Sequence, residues 1–360
     1  LARTFEASQM SVQVISAEDA IAQLDSFDTV VDARSEDEYA DDHLPGAVNW
    51  PSLDNEQRKI VGTMYKQVSP FEAKKHGAAL VASNIGKHIQ AHVLDKPRQW
   101  KPLAYCWRGG KRSGSLALVL DQIGFRTHVI EGGYKAFRAA VLAQMTELAS
   151  RFDYRVICGP TGSGKTRLLH ALRNAGAQVL DLEGLANHRS SVLGIIPGVS
   201  QPSQKAFDTL VWDALRKLDP SRPVFVESES RKVGNVAIHE ALIDRMRASE
   251  CLNVELSDEE RVALLMEDYD FFVRDRELFC ERLGALTEIR GKAVIEEWQA
   301  KVRAGEIEEV VRELLLKHYD PGYATSIRRN FKRFGEAKPI VLANRSSASM
   351  DAAARSFAQA

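Results

Sequence analysis

The chain is poor in the features that mark several broad classes of protein. It has only four cysteines in 360 residues, Cys106, Cys158, Cys251 and Cys280, and no Cys-x-x-Cys pair. That spacing excludes a disulfide framework and a cysteine-based zinc site, and fits a reducing compartment such as the cytoplasm. No apolar run approaches the length of a membrane span, so no membrane association is expected. No leader segment is visible; residues 1–10 lack a starting Met, read as an expression remnant or a processed end, and are set aside. Neither sign of charge dominates, since the formal net charge is −1. A nucleic-acid partner therefore needs a local basic patch. Internal repeats are also missing. The length predicts two domains, each able to bury a core.

Against this background Gly159-Pro-Thr-Gly-Ser-Gly-Lys-Thr166 stands out. It fits the phosphate-loop pattern G-x-x-x-x-G-K-[ST], with an apolar strand candidate before it (156–158) and an amphipathic helix candidate after it (167–174). Gly159, Gly162 and Gly164 free the backbone N–H groups, including that of Ser163, to face an anion at a helix N-terminus. Lys165 is placed to reach a terminal phosphate. The Thr166 hydroxyl is suited to Mg²⁺.

The N-terminal half alternates strands with helices, which implies a parallel α/β sheet. The segment 14–31 reads as a short helix followed by a strand, and Asp32-Ala-Arg34 follows. Ser35 and Glu38 form a capping box. Residues 54–93 read as mostly helical. A strand at 103–105 runs into Cys106-Trp-Arg-Gly-Gly-Lys-Arg-Ser113, and a strand at 127–130 runs into Glu131-Gly-Gly-Tyr134.

Cys106 sits in a strand-to-helix loop beside Arg108, Lys111 and Arg112. These cations and the helix N-terminus favour a thiolate nucleophile. The loop N–H groups of Gly109, Gly110, Lys111 and Ser113 can cradle a tetrahedral anion. The other three cysteines read as small buried side chains. Asp32-x-Arg34, Glu38, His43-Leu-Pro-Gly-Ala47, Cys106 and Gly132-Gly133 together resemble a rhodanese domain over residues 11–140, with Asp42 where many rhodaneses have Gly. The loop also fits a tyrosine-phosphatase signature, Cys106-x-x-Gly109-x-x-Arg112-Ser113. A general acid for phosphatase chemistry is not assignable. Selenophosphate, a tetrahedral anion with a transferable chalcogen, satisfies both patterns.

In the C-terminal half, a helix over 141–152 is expected to link the two domains, and the phosphate-loop domain to occupy 153–345, with a tail at 346–360. Strands at 178–180 and 223–226 end in acids. Asp181, Glu183, Glu227 and Glu229 thus fall where ligand crevices open in such sheets, and are candidates for Mg²⁺ or for holding its waters. Residues 187–189 and 201–205 read either as cleft lining or as a surface loop. The charged, helix-rich segment 258–335 reads as an amphipathic helical subdomain. Near its end, Arg328, Arg329, Phe331, Lys332 and Arg333 combine four cations with an aromatic ring. They read either as an RNA contact or as a solvated basic face.

The fusion of these two domains, with Gly62-Thr-Met-Tyr-Lys66, the Cys106–Ser113 loop, Asp181-Leu-Glu-Gly-Leu-Ala-Asn-His-Arg189, Gln201-Pro-Ser-Gln-Lys205 and Tyr319-Asp-Pro-Gly-Tyr323, resembles the tRNA 2-selenouridine synthase family over nearly the whole chain. The resemblance implies a tRNA-modifying transferase acting on wobble 2-thiouridine. Geranyl diphosphate would alkylate the sulfur, and selenium from selenophosphate, supplied by a selenophosphate synthetase, would then displace it. Cys106 would carry selenium as a Cys–Se adduct. A phosphatase-like enzyme coupled to a nucleotide-binding loop is the alternative.

Overall fold

The computed structural model describes residues 12–189, 194, 196 and 198–358. The chain divides near residue 144 into two compact units. Each is built on its own parallel sheet.

The first unit holds strands β1 (Gln13–Ile15), β2 (Thr29–Asp32), β3 (Val48–Asn49), β4 (Pro102–Tyr105) and β5 (His128–Ile130), in the order β1-β5-β4-β2-β3. All four pairings are parallel. β4 and β5 are buried along their whole length, as strands covered on both faces must be. One side packs Val31, Trp50, Ile85, Trp100, Ala104 and Leu116 into a single apolar cluster. The sequence does not predict β1. Three residues with two exposed side chains carry no alternation to read, and the strand exists because it pairs with β5.

Between β3 and β4 the chain makes a long helical hairpin, Asn55–Gln67 and Pro70–His92. Asp54 caps the first helix by accepting from Gln57 N at 2.8 Å. Ser69 caps the second, where Pro70 opens the first turn.

The buried polar centre of this unit is Asp32 and Arg34. Arg34 donates to both Asp32 oxygens, at 2.6 to 3.0 Å, and to the Asp42 carbonyl at 2.6 Å. Its guanidinium lies 3.9 Å from the Tyr134 ring centre. The Tyr105 hydroxyl completes the set, donating to Asp32 at 2.7 Å. A buried charge pair persists only when so fully bonded, so these two residues scaffold the sheet edge from which the cysteine loop springs.

In the second unit, β6 (Tyr154–Cys158), β7 (Gln178–Leu180), β8 (Val224–Glu227), β11 (Glu250–Glu255) and β12 (Lys338–Val341) form the order β12-β11-β6-β8-β7, again all parallel. A small antiparallel pair, β9 (Lys232–Val233) and β10 (Val236–Ala237), stands apart. β6 is central, so the loop after it opens at the middle of the sheet's C-terminal edge. A second apolar cluster of Phe272, Phe279, Leu283, Ile295, Trp298 and Val310 makes the helical subdomain a core of its own.

The helix expected over 141–152 is the last part of a continuous helix, Gly133–Arg151. The segment 346–360 carries the helix Ser347–Ala358, whose Met350 and Ala354 enter the core under the phosphate loop. A run rich in Ala and Ser reads as a tail because its small apolar stripe is weak, yet it suffices against the loop helix.

Candidate functional site

The first site is the Cys106 loop. Cys106 follows β4 and is 3 % exposed. Gly110 N–H and the Ser113 hydroxyl both point at its sulfur, each at 3.2 Å. Gly110 stands at the N-cap of the helix Lys111–Ile123, so that helix begins at the cysteine loop. The loop is clamped by the Gly132-Gly133 turn: Tyr134 N donates to the Cys106 carbonyl at 2.8 Å, and Lys135 N to that of Trp107 at 3.1 Å. Gly133 has φ +59, and a Cβ there would lie 2.1 Å from the Cys106 oxygen and 2.4 Å from Gly109 N. No other residue fits.

Arg108 and Lys111 are exposed at the rim. Arg112 does not face the sulfur freely; it donates to Glu38 at 2.8 Å.

The second site is the phosphate loop. Gly162 and Gly164 hold positive φ, and Lys165 opens the helix Lys165–Asn174. Ser163 is fully buried beneath the loop. Lys165 Nζ folds back onto the carbonyls of Gly159 at 2.8 Å and Pro160 at 3.3 Å. Two supports are not legible in the sequence. The Tyr323 hydroxyl accepts from Gly159 N at 2.6 Å. Arg261, 4 % exposed, donates to the Thr161 carbonyl at 2.8 and 3.0 Å and pairs with Asp320 at 2.6 Å. The Tyr319–Tyr323 string thus buttresses the loop from the helical subdomain. The only sequence signal is the unusual string itself.

Of the four acids proposed for a metal, three converge. Glu183, Glu227 and Glu229 each bring a carboxylate oxygen within 4.8 Å of the others. Thr166 Oγ1 lies 3.4 Å from Glu183. Glu227 Oε1 is buried without a hydrogen-bond partner among the described residues. Burial and the neighbouring Glu183 push its carboxyl up to about 8. A buried acid, a second carboxylate and an orphaned oxygen fit a hard divalent cation. Asp181 lies outside this cluster. It caps the helix Leu182–Ala186, accepting from Gly184 N at 2.8 Å, and takes His170 at 3.0 Å.

Lys165, Thr166, His170, Glu183, Glu227 and Glu229 line a cleft of about 550 Å³. Arg189 also lines it, with its guanidinium 4.6 Å from the Tyr269 ring centre. Gln201 instead ties two loops, donating to the carbonyls of Ala186 and Val233. A second, apolar pocket adjoins the cleft and shares Thr161, Leu265, Tyr269 and Tyr319 with it. Its remaining walls include Met266, Phe272, Val273, Ile307 and Leu314.

The basic tract divides. Arg328, Arg329, Lys332 and Arg333 are exposed. Phe331 is 5 % exposed and forms part of the cleft wall, so it is not displayed beside the cations for stacking. Its hydrophobic payload keeps it inside.

Comparison with known proteins agrees with both halves. Residues 16–140 match the rhodanese-like domain, and residues 152–285 match the tRNA 2-selenouridine synthase AAA domain. A tRNA 2-selenouridine synthase of Nitrosomonas europaea is 38 % identical over 259 residues, covering 71 % of this chain and 67 % of its own. That of Nitrosomonas eutropha is 33 % identical over 88 % of this chain and 79 % of its own. That of Alcanivorax borkumensis is 30 % identical over 83 % and 90 % respectively. With a cysteine loop on one sheet, a phosphate loop on the other and likeness of this extent along both, the chain belongs to the tRNA 2-selenouridine synthase family.

Proposed function

We propose that this enzyme replaces the sulfur of wobble 2-thiouridine in tRNA with selenium, in two stages served by its two loops. The observation that carries the first stage is the apolar pocket beside the phosphate loop. A nucleotide needs polar contacts for base and ribose. An allylic diphosphate such as geranyl diphosphate needs a diphosphate cradle beside apolar walls, and at Thr161 and Leu265 an apolar pocket of about 50 Å³, room for part of the chain, opens off the 550 Å³ cleft.

In that stage the thiocarbonyl sulfur attacks the allylic carbon. The C–S bond forms, the C–O bond breaks, and the electron pair leaves with the diphosphate. Lys165 and the loop N–H groups meet the charge as it develops. Glu183, Glu227, Glu229 and Thr166 would hold Mg²⁺, which would add positive charge beside the leaving group.

In the second stage the Cys106 thiolate attacks the phosphorus of selenophosphate. The P–Se bond breaks and selenium departs at the selenide level. It adds to C2 of the alkylated base, and the geranyl thiol leaves. Water later frees phosphate from the cysteine. Electron balance favours this course over a Cys–Se adduct, which would require selenium to be oxidised. Alkylation comes first because an alkylated sulfur leaves as a thiol, whereas a thiocarbonyl sulfur would leave as sulfide. The phosphatase-like alternative shares the attack on phosphorus and differs in needing a general acid for a leaving oxygen, which no residue is assigned to supply.

The test combines purified enzyme, 2-thiouridine tRNA, Mg²⁺ and geranyl diphosphate without nucleotide. Geranylation that disappears in Lys165→Ala is expected. A strict need for hydrolysable ATP would overturn the first stage.

A further inference from the structure

The helical hairpin 55–92 meets the rim of the cysteine loop through Arg58, which pairs with Glu38 at 3.3 Å. It is held firmly at its base. Asn84 donates to the Ser52 carbonyl at 3.2 Å and to Gln57 at 2.6 Å, and a His88 ring nitrogen lies 3.0 Å from the Pro51 carbonyl. Gly77 lets the two helices close, since a Cβ there would meet Val61 at 3.3 Å. Beyond that base the first helix buries none of its residues.

The tip displays large apolar side chains. Tyr65 is 53 %, Val68 70 % and Phe71 66 % exposed. All three fall within seven residues of sequence at the turn between the two helices. Its surroundings define the partner. Arg58, Lys59, Lys66, Lys74, Lys75 and Lys87 stand against only Glu56 and Glu72 within 55–92, in a chain of net charge −1. Lys59, Lys66, Lys74 and Lys87 make no ion pair among the described residues, and all four are exposed. Lys75 sits 5.1 Å from the Phe71 ring centre and pairs with Glu72 at 2.8 Å, an exposed pair that a phosphate can displace. Protein interfaces are depleted in Lys. Rings flanked by lysines instead suit stacked bases joined by phosphates.

We infer that the tip of this hairpin binds a single-stranded RNA loop, with Tyr65 and Phe71 stacking on bases and Lys66, Lys74 and Lys75 meeting phosphates. The inference rests on the proposed function, which supplies the RNA as tRNA.

The experiment measures binding of the full chain to an unmodified anticodon stem–loop and to a fully paired RNA hairpin, by fluorescence anisotropy over a salt series. Tyr65→Ala/Phe71→Ala weakens affinity for the stem–loop by roughly ten- to a hundredfold and for the paired RNA much less. Lys66→Gln/Lys74→Gln/Lys75→Gln flattens the slope of log affinity against log salt by about two. Melting followed by circular dichroism confirms that both variants fold, as their exposed positions predict. Wild-type affinity and slope in both variants overturn the inference. So does loss of binding to phosphatidylserine vesicles with RNA binding intact, which makes the tip a membrane contact. Conversion of 2-thiouridine by the wild type, with RNA binding unchanged in the variants, removes the hairpin and leaves the enzymatic reading. Binding through the hairpin without any conversion does the reverse.

Discussion

Arg112 and Glu38, 74 residues apart, meet at 2.8 Å on the rim of the cysteine loop. Glu38 also accepts from Ser35 N at 3.3 Å and pairs with Arg58 at 3.3 Å. Burial opposes its ionisation, but the Arg112 hydrogen bond and charge hold its carboxyl below the usual range. A carboxylate depressed in the folded state contributes stability above its unfolded pKa and loses it as pH falls through the folded one. Glu38→Gln is therefore expected to lower stability by about 1–2 kcal/mol near neutral pH and much less in acid. Urea unfolding at the two pH values checks this. An equal loss at both would mean that packing, not charge, is what Glu38 supplies.

Cys106→Ala is expected to abolish selenation and leave geranylation largely intact. The cysteine belongs to the rhodanese-like unit, while the proposed function gives the diphosphate chemistry to the phosphate loop. Nucleoside mass spectrometry of tRNA treated with the variant should show S-geranyl-2-thiouridine accumulating. Equal loss of both steps would count against this division of labour.

Glu227 predicts a pH signature. Its carboxyl is pushed up to about 8, so the folded protein holds a proton there that the unfolded chain has already released. Stability without divalent cation should thus fall as pH rises from the ordinary glutamate range towards about 8. Mg²⁺ should flatten that fall, and Glu227→Gln should remove both the fall and the effect of Mg²⁺. Melting temperatures across the range, with and without the ion, provide the check. A Mg²⁺ effect that survives in Glu227→Gln would place the ion elsewhere.

The exposed tract Arg328, Arg329, Lys332 and Arg333 is expected to meet tRNA phosphates. Removing one cation that neutralises a phosphate should flatten the salt slope by somewhat under one. A quadruple alanine variant with unchanged affinity and slope would make the tract a solvated face.

Motifs with a strict local grammar are legible in the chain, and those assembled by topology are not. The phosphate loop, the Ser35–Glu38 box and the Cys106 loop can be read because spacing alone specifies their backbone. Asp181 misleads because an acid after a strand serves equally as a helix cap, and only the turn to Gly184 shows which it became. Phe331 misleads because an aromatic among cations carries no sign of which way it faces. Tyr323 and Arg261 support the loop from more than a hundred and about a hundred residues away, respectively, and no local pattern reports such pairings. β11 and β12 escape a sequence reading for the same reason; they are strands by virtue of their neighbours.

Gly133 has a consequence for how the protein comes into being. Its bare backbone lies against Cys106 and Gly109, and the following Tyr134 N holds the Cys106 carbonyl. During synthesis the cysteine emerges first, with nothing to shape the turn around it. The thiol acquires its setting only once residue 134 has left the ribosome and β5 has docked on β4. Until then the cysteine lacks the clamp on its loop, and Gly110 N–H and the Ser113 hydroxyl have no fixed aim at its sulfur.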